Sequence, residues 1–418
     1  MQVFKFGGAS VKNAEAVRNL QEIVKPYQNN LTIVVSAMHK NTNAFEKLHE
    51  FHRAENEKKW QQLDDIKSFH INICKNLFDN ENFKTGDFLS EYFNEINEII
   101  QQKPIENYDF SYDKLIPYGE LLSTAIISKF LKQTNDNVEF LDIRKIIRTN
   151  NTYREARINW EETKKLSSEY FSKNKHKLVV TQGFIAQDNS FNNTTLGREG
   201  SDFSAAILAY VLNAEKIVIW KDVPGIMTAD PALYPHAEKI DKLTYKEAIE
   251  LAFYGAKVIH PRTVKPLENK NIPLWVNSFM NPKEDGTCIS NFDDFIKYPP
   301  ILILKHKQIL LSISPKDFSF IAEDHISKIF ALFNKHRTKV NLMQNSAISF
   351  SVCADTNSNS FNLLIEDLQE EFTVLYNKNL SLITIRHYND EIIEKMTYEK
   401  EILLEQKSRN TVRFVIKS

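Results

Sequence analysis

The chain has 418 residues, 42% hydrophobic and 26% charged, with Lys+Arg 53 against Asp+Glu 54 and a formal net charge of −1. This is the composition of a folded chain, not a disordered one, and it offers no basic field to gather nucleic acid. Only 10 glycines are present, against roughly 7% in ordinary proteins, and neither a Gly-x-Gly-x-x-Gly turn nor a Gly-x-x-x-x-Gly-Lys-Ser/Thr loop occurs, which excludes the dinucleotide-binding and P-loop fingerprints.

Val3 to Phe6 reads as a short buried strand, followed by Gly7-Gly8 and a helix to about Lys25. Leu31 to Ala37 is a continuous apolar run of the kind buried on both faces of a parallel sheet. Residues 44–110 differ: they are charged, with Ile66, Phe69, Ile73 and Leu77 at helical spacing, and read as a helical insertion. Gly119-Glu120 opens a further helix, Leu121 to Leu131. Strands return at Leu178 to Thr181, Lys216 to Trp220 and Ile272 to Val276, with helices near 202–213 and 245–256. The alternation predicts an α/β domain with a mainly parallel central sheet.

Near residue 298 the order changes to strand (301–313), helix (322–335), strands (338–343, 347–354), helix (358–371), strand (380–386), helix (389–396) and strand (410–416). Two short β-α-β-β units fit this better than another layer of the first domain. The expected division is therefore 1–298 and 299–418. Three cysteines without metal-ligand spacing, Cys74, Cys288 and Cys353, suit a reducing compartment. The N-terminus carries no apolar signal core. The longest apolar runs, such as Ile301 to Leu304, fall far short of a membrane span. A cytoplasmic protein is expected, with no membrane or nucleic-acid partner.

The glycines mark where backbone can meet a ligand. Lys5 precedes Gly7-Gly8 and Ser10 at a strand-to-helix junction, which is either an ordinary turn or an anion site at a helix N-terminus. Thr194-Thr195-Leu196-Gly197-Arg198-Glu199-Gly200-Ser201-Asp202 concentrates hydroxyls, glycines and an Arg before an apolar helix. Such a set suits phosphate or carboxylate, with Arg as the bidentate fork; a solvated loop with a Ser or Asp cap is the bland alternative. Lys221-Asp222-Val223-Pro224-Gly225 follows a strand, at the end of an α/β sheet where ligands bind.

Taken in order, Lys5-Phe-Gly-Gly-Ala-Ser-Val11, Val35-Ser36-Ala37-Met38 with Thr42-Asn43, Gly119-Glu120, Thr194 to Asp202, Asp222-Val-Pro-Gly-Ile with Asp230-Pro231, and Gly255-Ala-Lys-Val-Ile-His-Pro261 resemble the aspartate kinases of the amino-acid-kinase superfamily. The resemblance spans essentially the whole chain. It implies an αβα sandwich followed by tandem ferredoxin-like βαββαβ (ACT) domains, one nested in the other, with the last strand returning beside the first. It implies phosphorylation of the side-chain carboxylate of L-aspartate by MgATP, the entry step to lysine, threonine and methionine, in a homodimer or homotetramer held through the ACT domains. No residues remain for a fused homoserine dehydrogenase, so a monofunctional enzyme is expected. A kinase for glutamate or N-acetylglutamate, and a sensor without turnover, are the alternatives.

By the same resemblance Lys5 and Asp202 are the catalytic residues, and Gly7, Gly8, Ser10 and Ser36 bind phosphate. Thr42, Glu120, Arg198 and Ser201 bind aspartate, with Arg198 on a carboxylate and Glu120 on the ammonium. Lys221, Asp222, Met227 and Lys257 contact nucleotide. Ser319, Val340, Asn341, Gln344 and Asn345 would hold a lysine or threonine effector, and no protein-borne metal site is expected. The chain departs from the family pattern at Ala9, Glu199, Lys221, Met227 and Ala232, and it lacks the glycine of the ACT effector loop, where Ser314 to Phe320 must turn instead.

Overall fold

The computed structural model describes residues 1–27, 29–256, 259–317, 319–355 and 360–417. The chain divides into two compact units: Met1–Ile226 with Lys239–Ile249 and Lys257–Phe295, and Met227–Glu238 with Glu250–Ala256 and Ile296–Ser418.

In chain order the first part contains β1 (Gln2–Phe6), α1 (Ala14–Val24), β2 (Leu31–Val35), α2 (Asn41–Arg53), α3 (Lys58–Leu77), α4 (Glu81–Lys84), α5 (Ser90–Gln101), α6 (Tyr108–Leu115), α7 (Tyr118–Lys132), β3 (Val138–Leu141), β4 (Arg148–Thr149), α8 (Trp160–Lys173), β5 (Leu178–Gln182), β6 (Ile185–Asp188) and β7 (Asn193–Thr195). It continues with α9 (Gly200–Val211), β8 (Lys216–Lys221), β9 (Ile226–Met227), β10 (Lys239–Ile240), β11 (Lys242–Thr244), α10 (Tyr245–Tyr254), α11 (Pro261–Glu268), β12 (Leu274–Ser278) and β13 (Thr287–Ser290). Among the described residues the main sheet has eight strands in the order β11-β13-β12-β8-β1-β2-β5-β3. Only the β12/β13 pair is antiparallel there.

The sequence dictates this burial directly. β2 (LTIVV) is buried at every position, as a strand covered on both faces must be. α9 is apolar nearly all round, and Ala205 through Ala209 are fully buried beneath the sheet's neighbours. β1 pairs with β2 on one side and β8 on the other. The chain thus leaves β1 in one direction and returns to its opposite edge much later, which makes a crevice at the carboxyl ends of these strands.

The second unit carries β14 (Ile301–Pro315), α12 (Glu323–Lys335), β15 (Val340–Asn345), β16 (Phe350–Asp355), α13 (Ser360–Glu371), β17 (Phe372–Arg386), α14 (Asp390–Thr397), β18 (Ile402–Lys407) and β19 (Thr411–Lys417). Its antiparallel sheet runs β15-β16-β14-β17-β19-β18. One core gathers Ile309, Leu311, Ile313, Ile329, Phe333, Val352 and Leu364. A second gathers Ile383, Ile385, Met396, Val412 and Phe414, with Leu302 and Leu304 against it. The long strands β14 and β17 therefore serve both cores. Their register shifts between Lys305 and Leu310, where Lys307 and Asn379 take positive φ of 57° each, marking a bulge at the changeover.

Two expectations are corrected here. The strand expected at 380–386 is the second half of β17, which starts directly at Phe372, and β18 has no counterpart among the expected elements. The last strand does not lie beside the first of this unit: β19 pairs with β17 and β18, while β14 is flanked by β16 and β17. Antiparallel pairing that runs from Ile301↔Arg386 to Pro315↔Phe372, broken by the bulge, occupies the β14 edge that the last strand would have used.

Candidate active site

Lys5 sits on β1, one residue before its carboxyl end, and is 8% exposed. Its Nζ lies 2.6 Å from Asp202 Oδ1 in the first turn of α9. The Nζ of Lys221, from the end of β8, lies 3.8 Å from the other carboxylate oxygen. Burial alone would raise the Asp202 pKa, but Lys5 and then Lys221 hold it below the ordinary aspartate value. The result is one buried carboxylate positioning two ammonium groups at adjacent strand ends.

The Gly7-Gly8 turn covers one side of this cluster. A Cβ on Gly8 would stand 2.7 Å from the His39 carbonyl oxygen and 2.8 Å from that of Ala37, so only glycine lets the two backbones approach. Ser10 follows in a short 3-10 turn, buried, its hydroxyl directed to the Trp220 carbonyl at 3.3 Å. Ser36 leaves β2 with its N–H on the Phe6 carbonyl. Thr42, half-buried, stands in the first turn of α2.

Glu120 is 2% exposed in the first turn of α7. The Ala37 N–H donates to its Oε1 at 3.4 Å, and its Oε2 is buried with no hydrogen-bond partner among the described residues. Burial raises its pKa from the ordinary 4.5 to about 8, against the pull of that N–H and of Lys5. A buried, unpartnered carboxyl oxygen is costly unless something cationic completes it. Arg198 is the opposite case: exposed, and without a hydrogen bond or ion pair among the described residues. Ser201 packs against Gly183, where a Cβ would come within 2.6 Å of the Ser201 Cβ.

Lys5, Asp202, Lys221, Gly8, Ser10, Ser36 and Glu120 thus meet around the ends of β1, β2 and β8, while Ser201 lies in the first turn of α9 and Arg198 is exposed in the turn that precedes it. Asp222 is exposed just beyond β8. Met227 ends β9 and belongs to the second unit. Lys257 lies outside the described residues. The backbone N–H of Ala37 is not legible in the sequence, because a main-chain donor leaves no mark in residue type.

The expected effector residues lie on the second unit. Val340, Asn341, Gln344 and Asn345 occupy the edge strand β15. The Asn341 amide is buried and already engaged: it accepts from Lys305 Nζ at 2.8 Å and donates to Gln308 Oε1 and Asp355 Oδ1 at 2.7 Å each. Gln344 and Asn345 are exposed. Ser319 lies after β14 with its N–H on Asp317 Oδ1 at 3.0 Å, and Phe318 between them lies outside the described residues. Among the described residues no group of three or more His, Cys, Asp or Glu could hold a metal ion, and no helix is long and apolar enough to cross a membrane.

Lysines and glycine turns gathered at the strand ends of a parallel sheet make a setting that binds anionic groups. The model of the amino acid kinase family matches residues 1–278, and the chain belongs to that family. Within it the chain sides with the aspartokinases. It is 31% identical over 381 residues to lysine-sensitive aspartokinase 3 of Escherichia coli strain K12, covering 89% of this chain and 83% of that protein. The crystal structure of E. coli aspartokinase III in complex with aspartate and ADP, an R-state, superposes with a TM-score of 0.84 at 27% identity, covering 100% of this chain and 96% of that one. The T-state complex of the same enzyme with lysine and aspartate gives 0.82 over the same shares, again at 27% identity.

Proposed function

We propose that the chain transfers the terminal phosphoryl group of ATP to the side-chain carboxylate of L-aspartate, giving 4-phospho-L-aspartate and ADP. The observation that carries this reading is the pairing of a doubly cationic phosphate cradle with a buried, unsatisfied acid. Lys5 and Lys221 face the strand-end crevice on one carboxylate, and Glu120 waits beside them with an orphan oxygen.

The acceptor carboxylate is ionised at neutral pH, so no general base is needed. What the reaction needs is two anions held in line and the developing charge neutralised. Lys5 and Lys221 supply fixed positive charge, and the N-terminus of α9 adds its dipole. Glu120 takes the substrate ammonium, and the free Arg198 fork takes a carboxylate. The donor set suits a Mg²⁺ that arrives on the nucleotide, because Mg²⁺ is commonly held through substrate phosphates with one or two carboxylates; when bound it neutralises phosphate oxygens.

The second unit is the seat of regulation in this reading, with lysine as effector, supported by the lysine sensitivity named for the E. coli relative. Exposed Phe320, Met343, Ile348 and Leu375 on that unit support assembly into a homodimer or homotetramer. A cytoplasmic setting agrees with three unpaired cysteines, Cys74, Cys288 and Cys353. The test is acyl phosphate trapped by hydroxylamine with MgATP and L-aspartate, glutamate or N-acetylglutamate, with and without lysine. Aspartate-dependent product is expected; its absence from folded protein overturns the reading.

A further inference from the structure

We propose that Asp113, on α6 at the end of the helical insertion, is a positioning residue that fixes Arg198 relative to Glu120. The inference rests on the aspartate-kinase reading for its kinetic consequence but not for its geometry.

Asp113 is 0% exposed on α6. Its Oδ2 accepts the Thr195 N–H at 2.8 Å and the Arg154 N–H at 2.9 Å, and its Oδ1 accepts the Thr195 hydroxyl at 2.7 Å. A carboxylate is the side chain that can take several converging donors at once. Two of the three come from Thr195 at the end of β7, which leads into the Arg198 turn, and the third comes from the loop between β4 and α8. Thr195 is three residues before Arg198, and its own carbonyl accepts the Ala156 N–H at 3.0 Å. Beyond it, Leu196 N–H bonds the Phe184 carbonyl and Gly200 N–H that of Gly197, so the turn moves as a piece with Thr195. Arg154 holds a positive φ of 66°, a strained backbone that persists only where the surroundings over-determine it. Its side chain adds a second tie to α6, 3.2 Å from Asp109 and 4.7 Å from the Tyr112 ring centroid.

On its other side Asp113 is tied to Glu120 with little slack. Ile116 N–H bonds the Tyr112 carbonyl, Gly119 N–H that of Ile116 and Glu120 N–H that of Pro117, so α6 passes into α7 through one hydrogen-bonded turn. The two residues expected to grip opposite ends of the acceptor therefore hang from a single buried carboxylate. A misplacement of about 1 Å at such a site is worth on the order of 100-fold in rate.

The test compares D113A, D113N and T195V in the full-length protein. D113A is expected to raise KM for L-aspartate at least about tenfold, with KM for ATP changed less than about twofold. D113N keeps an oxygen for both N–H groups and an amide for the hydroxyl, so it should restore most of the loss; T195V should shift KM for aspartate alone, by about threefold. Equal effects on both substrates, or no effect of D113A on aspartate, overturn the proposal. Hydrogen exchange gives a readout independent of turnover. D113A should speed exchange over 194–202, and D113N should not. Unchanged exchange there refutes the positioning role even if the enzyme is an aspartate kinase. Faster exchange in a protein that forms no acyl phosphate from aspartate would sink the functional reading and leave the positioning role standing.

Discussion

The Nζ of Lys5 lies 2.6 Å from Asp202 Oδ1, joining the central strand of the first unit to the opening turn of α9. Both side chains are nearly buried, at 10% and 5% exposed. Desolvation takes back much of what such a pair gains, so its presence argues less for stability than for placement. Lys221 on the second oxygen makes the same carboxylate hold a second cation. These three groups carry one more positive charge than negative, which suits an anionic ligand.

Lys5→Met should therefore cut kcat severely while the protein still folds. Removing one such electrostatic contact typically costs about 100- to 1,000-fold in kcat. Breaking the buried pair should also cost up to about 3–5 kcal/mol. Because the folded pKa of Asp202 is depressed, its stabilising contribution is present above the ordinary value of 3.8 and lost as pH falls below it. Thermal unfolding followed from pH 6 down to pH 3 should show a drop at the acid end that is smaller in Lys5→Met. A variant with wild-type kcat would remove Lys5 from the chemistry.

Glu120 gives the reverse sign. Its folded pKa is raised from 4.5 to about 8, so the unfolded chain gives up its proton first as pH rises. The carboxyl then costs stability progressively between those values, and Glu120→Gln should flatten that slope in melting temperature. Aspartate binding brings an ammonium to the orphan oxygen and favours the carboxylate. At pH 7 binding should release close to one proton, read by calorimetry in two buffers of different ionisation enthalpy, and affinity should improve toward pH 8. Buffer-independent binding enthalpy would mean that Glu120 does not meet the ammonium.

How much of this was legible depended on the kind of signal. β2, β5 and α9 are readable from continuous apolar runs bounded by turns, and the glycine clusters point to the strand ends because few other glycines compete. β17 is legible only in its second half. Its first half, Thr373 to Asn379, is exposed at every position but Val374 and ends in the polar run Asn377-Lys378-Asn379, so it resembles a loop. β18 is an edge strand with no fully buried position, and edge strands leave the weakest periodic mark. Asp113 could not be found from sequence, since its role lies in accepting two backbone N–H groups and one hydroxyl, and backbone donors have no residue identity.

Gly183 is a site residue by close approach alone. Its N–H bonds the Val35 carbonyl at 2.9 Å, and an added Cβ would lie 2.6 Å from Ser201 Cβ and 2.7 Å from Ser201 Cα. Neither atom can swing aside without moving the first turn of α9. Gly183→Ala should cost about 1–3 kcal/mol in chemical denaturation, with kcat falling because Asp202 moves with Ser201. Full activity in that variant would show that α9 can shift without disturbing the Lys5 pair.

Arg198 tests the fork directly. It is exposed and makes no ion pair among the described residues, so its replacement leaves no buried charge behind and folding stability should be unchanged. Arg198→Lys keeps the charge but loses the planar pair of N–H donors that matches a carboxylate. KM for aspartate should rise about tenfold, equivalent to roughly 1.4 kcal/mol, while kcat and KM for ATP stay near wild type. Arg198→Ala should raise the same KM further. If Lys served as well as Arg, the side chain would be acting as a distant charge, and the carboxylate would have to be held by other donors in the β7–α9 turn.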